Sequence, residues 1–278
     1  MTWGSNVPLT RTPDAHFLTE VRYKGTKVVS VSPDYAESTT SSDAWLNVKA
    51  GTDAALAMAM GHVILKEYYI DKETPYFKEY AKEFTDMPFL VRVEDINGTV
   101  QPGRFLNAKD LGRQEEGADF QMVLIDELTN EIVVPNGTMG ERHTNPQKWN
   151  LRLENRDTGA KIDPRLSVFD QREDVTVVKL PYFGDEEHEG VIERAIPTIT
   201  VQTVDGPVKV TTVYDLILAN YGIDRGIGGE VAKAYTDDTP YTPTWQEKIT
   251  GVKADIAIAT AREFADNAEK TKGRSMII

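Results

Sequence analysis

The chain has 278 residues, of which 40% are hydrophobic and 27% are charged, a composition typical of a soluble globular protein with one large or two smaller domains. The absence of cysteine excludes disulfides, thiolate catalysis and cysteine-bound iron–sulfur clusters within this sequence. The net charge of −13 is the wrong sign for a general nucleic-acid surface, so any anionic ligand must be bound by backbone N–H groups and a few selected basic side chains.

The first hundred residues alternate short apolar runs with helical patterns, which predicts an α/β fold with a parallel sheet. Residues 26–32 are rich in valine and stop at Pro33, as a buried strand does. A helix is predicted to open at residues 51–53, with Thr52 or Asp53 as its cap. Its apolar face is formed by Leu56, Met60, Val63 and Ile64. A second helix is predicted from Pro75 to Phe84, because proline suits the first helical turn. The apolar run at residues 54–65 is too short to span a bilayer, and no signal peptide pattern precedes it.

From about Phe89 to Val210 the pattern indicates strands and loops rather than helices. A strand is predicted at residues 89–93, and Asn97–Gly98 is a strong hairpin signal. Two further apolar runs, residues 123–125 and 132–134, flank a predicted turn at Thr129–Asn130. The acidic run at residues 185–189 is interpreted as a solvated loop, and a metal site there would need further ligands.

Helical patterns return near the end of the sequence. A helix is predicted from Val213 to Tyr221, ending at Gly222. A capping box, Thr244 with Glu247, predicts a short helix that ends at Gly251. An amphipathic helix is predicted for residues 255–268, followed by the beginning of a strand at residues 273–278. Residues 226–229 are rich in glycine but follow a helix, and we predict a loop there.

The first of three candidate binding motifs is Trp3–Gly4–Ser5–Asn6. A small turn of this kind can bring backbone N–H groups against a pyrophosphate. Such a loop normally follows a β-strand, but only Met1 and Thr2 precede Trp3. We therefore expect the strand that would aim this loop to be missing.

The second motif is Ser32–Pro33–Asp34, and the third is Gly51–Thr52–Asp53. An acid just beyond a parallel strand can accept hydrogen bonds from both ribose hydroxyls of a nucleotide. A carboxylate at a helix start can accept from N1–H and the exocyclic amine of guanine. Each motif also has an ordinary interpretation as a turn or a helix cap. The nicotinamide fingerprint of three spaced glycines after a strand is absent from the sequence.

The order and spacing of these motifs, followed by residues 54–65, resemble the molybdopterin oxidoreductase (DMSO reductase) superfamily. Within it, the sequence is most similar to the respiratory nitrate reductase alpha-chain family. Four stretches carry that resemblance, namely residues 3–17, 214–222, 249–252 and 273–278. It covers nearly the whole chain and is weakest between about residues 95 and 205.

The resemblance implies a Rossmann-like, doubly wound and mostly parallel sheet that binds molybdopterin, formed by residues 1–90 and 206–278. Residues 91–205 would then be an inserted β- and loop-rich region. In this family, molybdenum is held by two pterin guanine dinucleotides and a protein carboxylate. The residues that the motifs and the resemblance together predict to bind the cofactor are Trp3, Gly4, Ser5, Asn6, Arg11, Ser32, Asp34, Gly51, Thr52 and Asp53.

Carried over by position, residues 4–6 match the loop that contacts phosphate or pterin, and Asp34 matches the ribose-binding acid. Gly51 and Asp53 match the guanine-recognition turn. Arg11 is a candidate phosphate ligand, with a surface ion pair as the alternative. His16 and His62 are interpreted as packed, hydrogen-bonded side chains rather than ligands.

The resemblance further implies an internal piece of a longer catalytic subunit that reduces nitrate to nitrite. The family's iron–sulfur cluster ligands and its molybdenum-binding aspartate precede the first motif, so we expect no catalytic residue, no metal ligand and no activity in this chain alone. The implied partners are the remainder of the alpha subunit, an iron–sulfur beta subunit and a membrane cytochrome b subunit, on the cytoplasmic side of the membrane. Unpaired sheet edges also predict self-association of the isolated chain.

Three other interpretations remain open from the sequence. The first is a related molybdenum oxidoreductase that acts on another oxyanion, such as chlorate or selenate. The second is a nucleotide-binding module without a redox role, and the third is a purely structural interaction domain.

Overall fold

The structure, a computed structural model, describes residues 1–137, 152–182 and 190–278. The chain divides into two units, one formed by residues 1–71 with 232–278 and the other by residues 72–231. The acidic run predicted as a loop at residues 185–189 lies outside the described residues. The predicted division at residues 90/91 and 205/206 stays a prediction about domain organisation.

The first unit contains a three-stranded parallel sheet. Its strands are β1 (Thr2–Trp3), β2 (Val29–Val31) and β3 (Ala44–Leu46), in that spatial order. Trp3 pairs with Val31, and Val31 pairs with Leu46. The expectation that no strand precedes the first motif is therefore wrong, because two residues are enough to pair in parallel with β2.

The last residue extends this sheet on the other side of β1. The Ile278 amide donates to the carbonyl oxygen of Met1 at 2.9 Å, and the Trp3 amide donates to the carbonyl oxygen of Ile278 at 2.8 Å. This alternation of bonds is the pattern of a parallel pair. The structure forms no strand at residues 273–278, where one was predicted to begin, and only Ile278 makes these parallel hydrogen bonds.

The helices are distributed over both units. Those of the first unit are α1 (Val7–Thr10), α2 (Thr12–Tyr23), α3 (Glu37–Thr40) and α4 (Asp53–Ile64), which runs into a π-helical segment (Leu65–Asp71). The second unit contains α5 (Pro75–Phe84), a 3-10 turn (Ala118–Phe120) and α6 (Val213–Asn220). The first unit is completed by α7 (Pro243–Thr250) and α8 (Ala254–Thr271). None of the helices in the described part of the chain combines the length and apolar character needed to cross a membrane.

The core of the first unit joins both of its chain segments. Residues of β2 and β3 pack against the apolar face predicted for α4, against Val252 and against one side of α8. The buried members are Val29, Val31, Leu46, Val48, Leu56, Met60, Val63, Val252, Ala257 and Ala261. Burial of these side chains fixes α4, and hence the turn at its start, against the sheet.

The second unit is built on a five-stranded antiparallel sheet. Its strands are β10 (Asp174–Pro181), β11 (Val191–Thr203), β12 (Gly206–Thr212), β4 (Leu90–Ile96) and β5 (Thr99–Phe105), in that spatial order. The predicted hairpin at Asn97–Gly98 is confirmed, since φ is 56° at Asn97 and 80° at Gly98. The overall fold is therefore mixed α/β, and its largest sheet is antiparallel.

Four short strands complete the second unit among the described residues. They are β6 (Leu124–Ile125) paired with β7 (Ile132–Val133), and β8 (Pro135–Asn136) paired with β9 (Arg152–Asn155). The turn predicted at Thr129–Asn130 joins β6 and β7, and Asn130 has a φ of 60°. The glycine-rich residues 226–229 lie outside helices and strands, as predicted.

The predicted capping box at Thr244 and Glu247 is wrong. Pro243 occupies the first position of α7, so the N-cap is Thr242, whose hydroxyl accepts from the Trp245 amide at 3.1 Å. Thr244 instead donates its hydroxyl to the carbonyl oxygen of Tyr235 at 2.7 Å. The predicted helix end at Gly251 is confirmed, with a φ of 81°.

Candidate functional site

The three sequence motifs follow the three parallel strands of the first unit. Residues 4–6 come directly after β1, residues 32–34 directly after β2, and residues 51–53 a short loop after β3. Because the carboxyl ends of parallel strands meet at the same edge of a sheet, all three motifs lie at one edge. Ligands in open α/β sheets bind at such carboxyl edges.

The first loop offers two unused backbone donors. Gly4 has a φ of +64°, which lets the chain turn away from β1, and its own N–H donates to the carbonyl oxygen of Val31 at 3.3 Å. The N–H groups of Ser5 and Asn6 have no acceptor in the described part of the chain. The anion-binding donors of this loop are therefore those of Ser5 and Asn6, while Gly4 provides the turn.

The Asn6 side chain contacts Glu37, the first residue of α3. Its Nδ2 donates to Glu37 Oε2 at 3.1 Å, whereas its Oδ1 is buried and has no donor among residues 1–137, 152–182 and 190–278. The hydrogen bond from Asn6 and one from the Glu37 backbone hold the pKa of the Glu37 carboxyl below its ordinary value. Glu37 was not predicted from the sequence, where it is only an acid near a helix start.

Asp34 presents a free carboxylate at the end of β2. The turn is shaped by Ser32, whose hydroxyl donates to the carbonyl oxygen of Asp34 at 2.8 Å. The Asp34 side chain is exposed and accepts no hydrogen bond from any described residue. It is thus available to a ligand, while Ser32 acts on the backbone of the turn.

Asp53 is the first residue of α4, and the structure brings it to Trp3. The Trp3 indole N–H donates to Asp53 Oδ1 at 2.8 Å, which leaves Oδ2 open. Gly51 has a φ of +80°, and the Thr52 hydroxyl donates to the carbonyl oxygen of Lys49 at 2.7 Å. Thr52 is the N-cap residue, but its side chain makes no capping bond. Gly51 and Thr52 therefore set the conformation of the turn, and Asp53 provides the carboxylate that a ligand could contact.

Arg11 lies between α1 and α2 and is exposed. No carboxylate of the described residues lies within ion-pair distance of it, so the alternative of a surface ion pair finds no partner there. His62 is buried, with 1% exposure, and packs edge to face on Tyr235 with ring centroids 5.9 Å apart, as a packed histidine should. His16 is exposed, with its ring centroid 3.8 Å from that of Phe17 and the two ring planes tilted by 39°, so the expectation of a packed side chain is wrong there.

An aromatic pair beside Asp34 was also not predicted. Tyr35 and Trp45 form an edge-to-face contact with ring centroids 5.3 Å apart, and both are exposed. The Trp45 indole N–H donates to the carbonyl oxygen of Ser32 at 3.0 Å. The signal available in the sequence was the tyrosine that directly follows Asp34.

The described residues include no group of three or more histidine, aspartate or glutamate side chains that could hold a metal ion. The edge instead combines two unused N–H donors with two available carboxylates, and the unpaired Arg11 follows the first loop in the sequence. Such a set suits a ligand with phosphates and with hydroxyl or amine donors, in other words a nucleotide.

Comparison with known proteins identifies similar sequences over the whole chain. A family profile described as "Molybdopterin oxidoreductase" matches residues 1–278. The nitrate reductase alpha chain of Bacillus subtilis is 52% identical over 278 residues, which cover 100% of this chain and 23% of the relative. The respiratory nitrate reductase 1 alpha chain of Escherichia coli is 48% identical over 289 residues, with 99% of this chain and 23% of the relative covered.

A more distant relative is named for a different substrate. The perchlorate reductase subunit alpha of Dechloromonas aromatica is 39% identical over 281 residues, with 99% of this chain and 24% of the relative covered. The chain thus spans less than a quarter of the length of each of these three relatives.

Proposed function

Because the chain belongs to the molybdopterin oxidoreductase family, we propose that it forms part of the catalytic subunit of a molybdenum-dependent respiratory nitrate reductase. The observation that carries this proposal is the 52% and 48% identity to nitrate reductase alpha chains across essentially the whole chain. The reaction is the reduction of nitrate to nitrite in anaerobic respiration. We assign it to the longer polypeptide, since the chain spans 23% of these relatives, and we expect this chain alone to be inactive.

The role of this chain in that enzyme is to bind part of a bis-molybdopterin guanine dinucleotide cofactor at the carboxyl edge of β1–β3. When bound, the cofactor supplies the oxygen-atom transfer chemistry, and the protein supplies orientation and electrostatics. We propose that the three parallel strands belong to a larger, doubly wound sheet. No residue of this chain is proposed to bind molybdenum.

Each predicted binding residue has a part in this arrangement. The N–H groups of Ser5 and Asn6 bind phosphate, and Arg11 neutralises its charge. The exposed carboxylate of Asp34 accepts from the ribose hydroxyls, and Asp53 accepts from N1–H and the amine of guanine. The remaining predicted residues set the shape of the edge through their turns and hydrogen bonds, and they are Trp3, Gly4, Ser32, Gly51 and Thr52.

The family implies the other parts of the proposed enzyme complex. The remainder of the alpha subunit supplies the molybdenum ligand and an iron–sulfur cluster. An iron–sulfur beta subunit and a membrane cytochrome b subunit deliver electrons from quinol, and the complex lies on the cytoplasmic side of the membrane. Residues 1–90 and 206–278 form the cofactor-binding region, and residues 91–205 form its insertion.

A second candidate function is the reduction of another oxyanion. Relatives named as a perchlorate reductase subunit alpha and a chlorate reductase subunit alpha are 39% and 36% identical to this chain. Nitrate is favoured because the nitrate reductase alpha chains are more similar over the same residues.

The activity is tested on the longer polypeptide that contains this chain, purified with its metal. Oxidation of reduced viologen is measured with nitrate, chlorate and perchlorate in parallel. We expect the highest kcat/KM with nitrate and no turnover by the 278-residue chain alone. Faster turnover with chlorate or perchlorate than with nitrate would support the second candidate, and turnover by the chain alone would contradict the assignment to the longer polypeptide.

The nucleotide site is tested by calorimetric titration of the chain with GDP and ADP. Asp53→Ala should weaken GDP binding about 10- to 100-fold and ADP binding much less, because two hydrogen bonds to a charged group are lost only with guanine. Asp34→Ala should weaken both. The control is Asp14→Ala, an exposed acid on α2.

The outcomes of this titration separate the alternatives. Equal binding of GDP by the unaltered chain and by Asp53→Ala would overturn the guanine assignment. If the longer polypeptide binds GDP but, when purified from molybdenum-replete cells, contains neither molybdenum nor pterin, a nucleotide-binding module without a redox role is favoured. The absence of any nucleotide binding would favour an interaction domain.

A further inference from the structure

One side of α5 in the second unit carries three aromatic rings in a row. Tyr76, Tyr80 and Phe84 are spaced by four residues, so they follow one another along one face of the helix. The ring centroids of Tyr76 and Tyr80 are 6.3 Å apart, and those of Tyr80 and Phe84 are 5.1 Å apart. Tyr80 is 47% exposed and Phe84 is 63% exposed. The rings thus pack on one another and remain open to solvent.

Two carboxylates lie beside these rings. Glu79 is three residues after Tyr76, and Glu83 is three residues after Tyr80, so each is next to a ring on the helix surface. Both are exposed, and no lysine or arginine in the described part of the chain forms an ion pair with either. We call these five residues, Tyr76, Glu79, Tyr80, Glu83 and Phe84, the outer face of α5.

The two lysines of α5 are already paired. Lys78 pairs with Glu73 at 2.7 Å, and Lys82 pairs with Asp163 at 2.6 Å. Ala81, one residue before Lys82, is fully buried and marks the opposite side of the helix. The outer face therefore combines aromatic surface and negative charge without a positive charge of its own.

Aromatic rings beside carboxylates suit the guanidinium group of arginine. A guanidinium can lie flat on a ring and donate to a carboxylate at the same time. The second unit contains this arrangement internally, where the guanidinium carbon of Arg225 lies 4.2 Å from the centroid of the Phe169 ring and Arg225 also pairs with Asp215. The outer face of α5 offers the same two kinds of group to an arginine from outside.

Other occupants fit this face less well. A second copy of the chain would bring the carboxylates of two outer faces together, and an anionic membrane would meet the same repulsion. Permanently covered interfaces are more apolar than this face, in which four of the five side chains end in an oxygen atom. A face of this polarity is typical of chains that fold separately and then associate.

We propose that the outer face of α5 is a docking surface for an arginine-rich segment of a separate protein chain. Guanidinium groups of that segment lie on the rings of Tyr80 and Phe84 and donate to the carboxylates of Glu79 and Glu83. None of these residues belongs to the candidate nucleotide site. The proposal therefore goes beyond nucleotide binding and holds or fails independently of it.

The chemistry of the face is tested with a fluorescein-labelled hexa-arginine peptide, titrated with the chain in about 0.15 M salt and followed by fluorescence anisotropy. Replacing Tyr80 and Phe84 together by alanine should raise the Kd about five- to tenfold, because two cation–π contacts are lost. Glu79→Gln with Glu83→Gln should raise the Kd about two- to tenfold, and this effect should shrink in about 1 M salt. A hexalysine peptide should respond less to the loss of the rings.

Matched variants on α2 control for general effects of charge and of aromatic surface. Asp14→Asn with Glu20→Gln removes the same negative charge, and Tyr23→Ala removes a ring that is 86% exposed. Both should leave the Kd of hexa-arginine nearly unchanged, and circular dichroism establishes that each variant is folded. If the α2 variants raised the Kd as much as the α5 variants, the peptide would be bound by net charge alone and the proposal would be wrong.

The source of the segment is tested in the complex of the longer polypeptide, purified together with its partner chains. Tyr80→p-benzoylphenylalanine places a photoreactive group on the outer face, and mass spectrometry identifies the segment that it crosslinks. We expect an arginine-containing segment of a separate chain. A crosslink within the same polypeptide, to a second copy of it or to no protein would contradict the proposal.

Vesicles of neutral phosphatidylcholine are the probe for a membrane as the occupant. Vesicle binding that depends on Tyr80 and Phe84, with no effect of these residues on the binding of hexa-arginine, would assign the face to a membrane instead. Binding of hexa-arginine that is absent, or that is equal in the unaltered chain and in both α5 variants, would also overturn the proposal.

Discussion

Asp110 in the second unit shows how one buried carboxylate organises its surroundings. It is 6% exposed and accepts from Arg104 at 2.5 and 2.7 Å, and from the Asn107 amide at 3.1 Å. Burial by itself would raise the pKa of Asp110, but the bonds from Arg104 and Asn107 and the nearby positive charges outweigh it and hold the pKa below its ordinary value. The ionised form is therefore the one that stabilises the fold.

Replacing Asp110 by asparagine should lower the free energy of unfolding by about 1–3 kcal/mol at pH 7, because Arg104 loses a charged acceptor. A depressed folded-state pKa gives stability that is complete above the unfolded value, about pH 4, and that is lost as the pH falls through the folded pKa. The free energy of unfolding is measured in urea at pH 7 and at pH 3. The difference in this free energy between Asp110→Asn and the unaltered chain should be smaller at pH 3 than at pH 7.

Asp174→Asn provides the control for this comparison. Asp174 forms an exposed ion pair with Lys209 at 2.5 Å, and its side chain is 55% exposed. Solvent screens such a pair, so we expect little change in stability at either pH. An equal loss of unfolding free energy in Asp110→Asn and Asp174→Asn would show that burial of Asp110 adds nothing to the stability that its ion pair provides.

Only the parts of the candidate site that depend on neighbouring residues in the sequence could be predicted. Residues 4–6, 32–34 and 51–53 were predicted because each motif is a short turn after a strand or before a helix. The Trp3–Asp53 and Asn6–Glu37 hydrogen bonds join residues 50 and 31 positions apart, so no local pattern contains them. Glu37 was missed for that reason.

At the scale of elements, the π-helical segment after α4 is joined to α8 by buried polar contacts. The Tyr68 hydroxyl donates to Asp266 and to the carbonyl oxygen of Arg262, the latter at 3.2 Å. Burial first, and the hydrogen bond to Asp266 second, raise the pKa of Tyr68. The neutral phenol is therefore the form that stabilises the packing of these two helices.

Stability at alkaline pH tests this contact. A raised folded-state pKa gives stability that is complete below the unfolded value, about 10 for tyrosine, and that is lost as the pH rises toward the folded pKa. The unaltered chain should lose about 1 kcal/mol more than Tyr68→Phe between pH 9 and pH 11, measured by urea unfolding.

Tyr23→Phe is the control, because Tyr23 is 86% exposed. Its pH dependence should match that of the unaltered chain. If the stability of Tyr68→Phe also had the pH dependence of the unaltered chain, ionisation of the Tyr68 phenol would not be coupled to folding.

The accuracy of the predicted elements depended on how regular their patterns were. The helix at Pro75–Phe84 was predicted with its observed bounds, because proline marks its start and aromatic side chains recur along one face. Strand β11 was not predicted, since Pro197 and the fully buried Arg194 interrupt its apolar alternation. Its pairing with β10 and β12 depends on neighbours in the sheet rather than on its own pattern.

At the scale of the whole molecule, the charge of −13 opposes the binding of an anionic ligand. Long-range repulsion is screened when salt shortens the Debye length from about 30 Å at 0.01 M to about 8 Å at 0.15 M. The association rate of GDP with the chain should therefore rise severalfold over this range of salt, as measured by stopped-flow fluorescence.

Guanosine, which lacks the phosphates, is the matched probe for this effect. Its association rate should not change with salt. A fall in the GDP rate with added salt would mean that the local field of Arg11 outweighs the charge of the rest of the chain.

The division of the first unit into two chain segments has a consequence for how the protein folds. Val252, Ala257 and Ala261 complete a core that begins with Val29 and Val31, and residues 72–231 separate the two groups in the sequence. Closing so long a loop costs only about 0.6 kcal/mol for each doubling of its length, so the native state tolerates it. During synthesis, however, the apolar face of α4 stays uncovered until residues 232–278 follow, and making the intervening residues 72–231 alone takes roughly 8–32 s at about 5–20 residues per second. Pulsed hydrogen exchange during refolding should accordingly show amides of β4 and β12 protected before those of β2.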